Sequence, residues 1–308
     1  MVELDHLDAF LAVTRAGSFT RAAAALHLSQ PAVSRRIDLL EHRLGAPLFE
    51  RVRGSSVILT EAGRAFLPHG EGALARVQDG IEAVRALVHG DSGTITLALV
   101  GTLADTRLTK RLRRFRAAYP GVRLLLRTAN SAEVTGLVRR GDAMLGLRYG
   151  ASADPDVVSL RIGEERMIVV CAPEHRLATR SRLKASALAG EPWVTFPSRP
   201  DGGDAGRVLE RQLAVAGLSD AETVVIDSLT AQKRFVESGF GLGLVPESSA
   251  REELRLGTLR KLHVPAMRTA MSVVLIRRRR AHLTGAARRL MTVLGATLGA
   301  RRTASPAR

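Results

Sequence analysis

The apolar positions change period twice along the chain. Residues 4–16 set Leu4, Leu7, Phe10, Leu11 and Thr14 on one face of a helix, which Gly17 ends. Ser18 to Leu26 predicts a second helix, so dense in alanine that a neighbour can pack close to it. A third is predicted from about Gln30 to Leu44, with Val33, Ile37, Leu40 and Leu44 on a single buried stripe and Gly45 as the stop. Residues 47–60 lose that period. Val52, the turn Gly54-Ser55-Ser56 and the run Val57-Ile58-Leu59 predict a short hairpin. Thr60-Glu61-Ala62-Gly63 then opens a long helix reaching about His89. Its apolar or small positions are Leu67, Gly70, Leu74, Val77, Ile81, Val84 and Val88, in alternating steps of three and four. That is a heptad seam, and a lone helix would leave it in water, so it predicts pairing with a second copy. Gly70 is its weak point.

The segment Gly90-Asp91-Ser92-Gly93 is expected to be a linker, after which strand-like and helical runs alternate. Strands are predicted at 94–100, 122–127, 143–148, 167–172, 194–196, 223–226, 242–245 and 271–277. Helices are predicted at 104–118, 131–140, 204–216, 229–238 and 282–298. Such alternation argues for mostly parallel sheets, and a segment of this length for two lobes. The expected fold class is α/β multidomain. Residues 1–60 form a helical domain with a hairpin, 61–89 a dimerising linker helix, and 90–300 a two-lobed α/β domain (about 93–162 plus 265–300, and 163–264). The tail 301–308 is expected to be disordered.

Composition narrows the class without settling function. Hydrophobic residues make up 45% and charged residues 25% of 308, as in an ordinary soluble globular protein. No charge-free apolar run approaches the ~20 residues of a membrane span. The opening MVELDHLDAF lacks the basic and apolar regions of a signal peptide, and the single cysteine, Cys171, excludes an internal disulfide and suits the cytosol. A cytoplasmic protein is therefore expected. The net charge of +16 suggests a polyanionic partner but does not locate one. Residues 1–89 hold 10 arginines and 10 acids, and residues 90–308 hold 36 basic residues against 20 acids. Local placement matters more: seven arginines lie between Arg15 and Arg53, against three acids.

The third helix gives that placement a meaning. At about 100° per residue its core stripe leaves Pro31, Arg35 and Asp38 facing outward, flanked by Ser34, with Gln30 at the N-terminal end. Ser29 can cap the helix, and proline is tolerated in a first turn. The outward half thus offers an amide, a hydroxyl and guanidinium groups, which suit base edges and phosphates in a major groove. Arg51 and Arg53 stand where a wing would meet the neighbouring backbone.

The run LDAFLAVTRAGSFTRAAAALHLSQPAVSRRIDLLEHRLGAPLFERVRGSSVILTEAGRAF resembles the winged helix-turn-helix of LysR-type transcriptional regulators, down to the spacing of GSFTRAA, LSQPAVSRRI and LTEAG. FRAAYPGVRL and ESGFGLGLVPE resemble the family's effector-domain markers. The resemblance covers about residues 3–300. It implies a winged helix-turn-helix, a dimerising linker helix and an effector domain like a periplasmic binding protein. It also implies a sequence-specific regulator controlled by a small molecule, with no cofactor and no enzymatic activity. The implied partners are double-stranded DNA carrying an interrupted dyad operator, the effector, a second copy in a dimer or tetramer, and RNA polymerase, with no membrane. The family's DNA contacts fall on Gln30, Pro31, Ser34 and Arg35, with Ser29 at the helix start, Arg51 and Arg53 on the wing, and Thr20, Arg21 and Arg36 on phosphates. One departure stands in Gly141-Asp142-Ala143-Met144-Leu145-Gly146-Leu147, where Met144 replaces the family's acid.

Two lobes carried on two crossing strands would hold a ligand between them, at the ends of strands. The expected lining is Thr102 and Leu103, then Thr128, Asn130 and Ser131, then Arg148 and Tyr149, then Phe196, Ser198 and Arg199, then Ser228 and Leu229. Arg148 and the helix N-termini would suit a carboxylate effector. Other motifs carry less. Cys171 lies in an apolar strand and is expected to be inert. The eight histidines show no ligand spacing, so no metal site is expected. Gly239, Gly241 and Gly243 lack a nucleotide-loop context and predict a helix-to-strand turn. The basic run Arg277–Arg280 reads as a solvated face. No nucleophile–base pairing or G-x-S-x-G supports a hydrolase.

Overall fold

The computed structural model describes residues 2–52, 56–89, 93–104, 106–198 and 204–295, without the side chains of 51, 52, 86–89, 106, 204 and 205. The linker residues 90–92, Arg53 to Ser55, Arg199 and the tail expected to be disordered lie outside the described residues. The chain divides into two compact units, residues 1–88 with 139–141, and 89–138 with 142–308.

The first unit holds α1 (Leu4–Ala16), α2 (Phe19–Leu26), α3 (Gln30–Leu44), the hairpin β1 (Phe49–Val52) and β2 (Ser56–Leu59), and α4 (Glu61–His89). Gly17 and Gly45 close α1 and α3 in the left-handed conformation. His27 closes α2 the same way, as a non-glycine residue at φ 55°. Phe10, Val33, Ile37, Leu40 and Leu48 form the core, with Phe49 tilted and Phe66 edge-on against Phe10 at ring separations of 5.4 Å. The stripe expected on α3 is buried through Leu40, but Leu44 is 39% exposed, because the last turn runs past the end of the core. Leu4 is exposed for the same reason at the start of α1.

Hydrogen bonds fix the hairpin to α3. The Glu41 carboxylate accepts from the Leu48 and Phe49 backbone N–H groups (2.6 and 3.2 Å), so α3 holds the chain as it enters β1. Thr60 caps α4 by accepting from Gly63 N–H (2.9 Å) and donates to Pro47 O (2.7 Å). The heptad seam of α4 splits in two. Leu67 and Leu74 pack on the unit's own core and Gly70 lies against Phe10 and Phe66, whereas Val77, Ile81 and Val84 stand exposed.

The second unit runs β3 (Gly93–Val100), α5 (Thr106–Ala118), β4 (Val122–Ala129), α6 (Ser131–Arg140), β5 (Leu145–Tyr149), β6 (Val157–Cys171), β7 (Trp193–Thr195), α7 (Asp204–Val215), β8 (Thr223–Val225), α8 (Leu229–Glu237), β9 (Leu242–Pro246), α9 (Arg251–Leu256), β10 (Arg260–Leu262), β11 (Thr269–Arg278) and α10 (Gly285–Val293). The strand order is β4-β3-β5-β11-β6-β9-β7-β8, with β10 beside β6. Pairing is parallel at the two ends, among β4, β3 and β5 and among β9, β7 and β8. It is antiparallel in the middle, where β6 and β11 pair from Val157 to Met167. The mostly parallel sheet expected from alternation therefore holds within each lobe and fails at the crossing. The first ten residues of β6, α9 and β10 were not anticipated. The apolar core of Leu97, Phe115, Leu147 and Trp193 lies on one face of the sheet, with smaller clusters under α6 and α8.

Candidate functional sites

The N-terminal half of α3 presents the expected chemistry to solvent. Ser29 accepts from Ala32 N–H and caps the helix, with Pro31 in its first turn. Ser29, Gln30, Pro31 and Arg35 are exposed, and Val33 and Ile37 anchor the opposite face at 2% exposure or less. Gln30 donates to the Ser34 hydroxyl (3.0 Å), so two candidate base-reading side chains orient each other along one ridge. Arg35 is exposed on that ridge, with its helix braced beneath by α1 and α2.

The expected phosphate contacts fare differently. Thr20 is exposed at the start of α2. Arg21, also exposed, spends its guanidinium on Ala16 O, with Nε at 2.9 Å, where α1 leaves an orphan carbonyl. Arg36 is ion-paired with Asp5 (2.8 Å), so it holds α3 to α1 and would have to leave that partner to meet a phosphate. Arg51 lies in β1, with its side chain outside the described residues, as is all of Arg53.

The second unit carries a cleft of about 590 Å³, a volume that suits a small molecule. Thr102, Thr128, Asn130, Ser131, Tyr149, Phe196 and Leu229 line it, as expected. Four expected residues do not. Leu103 turns into the apolar core at 8% exposure. Arg148, at 7% exposure, points to the opposite face of β5, where it donates to the Thr135 hydroxyl on α6 (2.6 Å) and to Tyr149 O (3.1 Å). Ser198 donates to Glu210 (2.9 Å), and Ser228 turns back to cap α8 at Ala231 N–H. Arg199 lies outside the described residues. The lining that sequence reasoning missed includes Gly101, Pro197, Thr230 and two carboxylates, Glu133 and Asp227. Glu133 could have been found: Asn130-x-x-Glu133 is a capping-box pattern, and each residue's side chain accepts from the other's backbone N–H at 3.0 Å.

A hydroxyl pair sits on the cleft wall, with Thr102 donating to Tyr149 Oη (2.9 Å). Thr102 O in turn accepts from the Ser249 hydroxyl (3.1 Å), at the turn after β9. The cleft wall of the first lobe is therefore hydrogen-bonded to the second.

The remaining motifs are structural. Cys171 is fully buried, and burial together with the nearby Glu191 charge pushes its thiol up to about 11, so it stays protonated. No cluster of three or more potential metal ligands exists among the described residues. Gly241 packs so closely on Pro192 that a Cβ would stand 2.3 Å from its carbonyl oxygen, which fits a tight turn between α8 and β9. Arg277 and Arg279 are not a free basic face: Arg277 donates to the carbonyls of Arg278 and Arg279, and Arg279 to Pro155 O. No described helix is long and apolar enough to cross a membrane.

Residues 4–64 match the model of a bacterial regulatory helix-turn-helix protein of the lysR family, and residues 89–299 that of the LysR substrate binding domain. The chain is 32% identical over 261 residues to the HTH-type transcriptional regulator CfxR of Cupriavidus necator, across 85% of this chain and 81% of the relative. It is 30% identical to the HTH-type transcriptional regulator CbbR of Rhodospirillum rubrum, across 95% and 96%. The solved structure of full-length CbnR complexed with its target DNA shares the fold, with a TM-score of 0.64 at 23% identity, covering 95% of this chain and 98% of that one. The first match spans the capped helix and its hairpin, the second the α/β unit with its cleft, and the chain belongs to the LysR family of DNA-binding transcriptional regulators.

Proposed function

We propose that this regulator reads its operator through Gln30, Pro31, Ser34 and Arg35 and responds to a small molecule held in the cleft of the second unit. The observation that carries the reading is the outward ridge of α3: an amide, a hydroxyl and a guanidinium on the exposed side of a helix whose other side is anchored in the core. Gln pairs with adenine and Arg with guanine in the major groove, each good bidentate pair contributing about 1–3 kcal/mol of discrimination. Thr20, Arg51 and Arg53 are candidate phosphate contacts.

Self-association belongs to the same reading. The exposed Val77, Ile81 and Val84 on α4 are the half of the heptad seam that a second copy would cover. Two recognition helices would then meet an interrupted dyad with half-sites about 34 Å apart, or a multiple of that. A regulator acting on DNA and on RNA polymerase works in the cytoplasm, and it has no catalytic task; tetramers would follow if two dimers share one operator. The test is a gel-shift series over rising salt. Arg35→Ala should weaken specific binding by about 5- to 150-fold per half-site while leaving nonspecific binding nearly unchanged. Equal loss of both refutes base reading by Arg35.

A further inference from the structure

We propose that the cleft takes a small organic cation, such as a diamine with an apolar body, and turns carboxylates away. The inference rests on reading the cleft as the effector site, and it sets aside the carboxylate expected from Arg148.

The unit around the cleft is rich in positive charge, with 36 basic residues against 20 acids in residues 90–308. The described lining reverses that balance. It contains no lysine or arginine and two carboxylates, Glu133 from the first lobe and Asp227 from the second. Arg148, the cation expected there, faces away under α6.

Two helix N-termini open at the cleft, those of α6 and α8, and such ends ordinarily favour an anionic ligand. Here the chain supplies its own anion to each. Glu133 sits in the first turn of α6 and closes the capping box with Asn130. Asp227 sits one residue before Ser228, the cap of α8. Their charge offsets the positive ends of the helices, so a carboxylate entering the cleft would meet two like charges and, among the described lining residues, no cation to offset them. Asp227 has no hydrogen-bond or ion-pair partner among the described residues, and only one Glu133 oxygen is used within the capping box.

The rest of the wall fits an amine with a hydrocarbon body. Tyr149 and Phe196 provide aromatic groups, whose ring faces attract cations. Leu229 and Pro197 provide apolar surface, and Thr128 and Thr230 provide hydroxyls that accept from N–H donors. Because one carboxylate comes from each lobe, a diamine can engage both and bear on the angle between lobes.

The test uses the full-length protein, with thermal-shift and calorimetric titrations at constant ionic strength. The probes are 1,5-diaminopentane, butylamine, succinate and benzoate. The expected result is saturable stabilisation by the diamine, weaker stabilisation by the monoamine and none by the two carboxylates. Asp227→Asn and Glu133→Gln, the second of which keeps capping chemistry, should each weaken the diamine by about tenfold or more, as loss of a charged hydrogen bond requires. Stabilisation by a carboxylate, an amine effect that survives the double variant, or no amine response up to about 10 mM, where even affinities weaker than millimolar register, would overturn the inference. A gel shift on the same protein separates the two readings. Selective DNA binding together with a carboxylate-loving cleft sinks only the cation, whereas absence of selective DNA binding sinks the regulator.

Discussion

Gly63 offers a sharp test of how the wing is held. An alanine Cβ there would stand 2.2 Å from Leu48 O and 2.9 Å from a Leu59 methyl. Ordinary contact begins near 3.4 Å, so the carbonyl would have to retreat by about 1.2 Å. It is not free to do so. Leu48 O accepts from Thr60 N–H at 3.0 Å, Leu48 N–H is held by Glu41 at 2.6 Å, and the Leu48 side chain is fully buried. Overpacking of this kind costs about 1–3 kcal/mol, and disrupting the Thr60 bond adds about 1 kcal/mol. Gly63→Ala should therefore destabilise the first unit by roughly 2–4 kcal/mol, enough to lower its melting midpoint by roughly ten degrees or more. Gly72→Ala is the matched control. It lies in the same helix with nothing within 4 Å of the added carbon, and should be neutral or stabilising by up to about 1 kcal/mol. Circular dichroism melts of the full chain measure both, and hydrogen exchange of the wing amides localises the loss. If Gly63→Ala melts with Gly72→Ala and the wing amides stay protected, the close approach of α4 to the wing does not constrain the unit as argued.

The other expectations are simpler to state. Ile81→Asp with Val84→Asp should convert the protein to monomers in sedimentation without changing its helical content, and persistent dimers would show that the exposed half of the α4 seam is not the interface. Cys171 should resist iodoacetamide at pH 8 in the native state, because its thiol is held up to about 11, and should react readily once urea restores a pKa of ~8.5; fast native labelling would refute its burial. Ser249→Ala removes the bond between Thr102 O and the second lobe and should lower stability by about 1 kcal/mol, read as a urea midpoint shift with an unchanged m-value.

Much of the fold was legible in the sequence, for reasons that differ by element. α3 was readable to the residue because its cap, its first-turn proline, its four-residue apolar spacing and its terminal glycine agree. β6 was readable only in its last third. From Val157 to Arg166 it pairs on the crossing, where much of the strand is exposed, so no apolar alternation marks it. α9 and β10 are too short, at six and three residues, for any period to appear. The exposed half of α4 shows the opposite limit: the seam was visible, but only tertiary packing tells which of its turns belong to the unit's own core.

The cleft shows why a site is harder to read than a strand. Naming the residues that follow a strand picks neighbours in sequence, but neighbours do not share a direction. On β5, Arg148 and Tyr149 must face opposite sides of the sheet, and the pleat gave Tyr149 the cleft and Arg148 the helix α6. In the turn after β3, Thr102 lines the cleft while Leu103 joins the core. At α8, Leu229 lines it while Ser228 turns back as a cap. One residue of each pair lines the cleft and the other does not, and on β5 the one that turns away, Arg148, had set the expected charge of the ligand. Glu133 and Asp227 escaped notice because an acid near a helix start reads as a capping device. Glu133 closes the capping box with Asn130 and lines the cleft as well, whereas Asp227 precedes the cap Ser228 and lines the cleft without a capping bond of its own among the described residues.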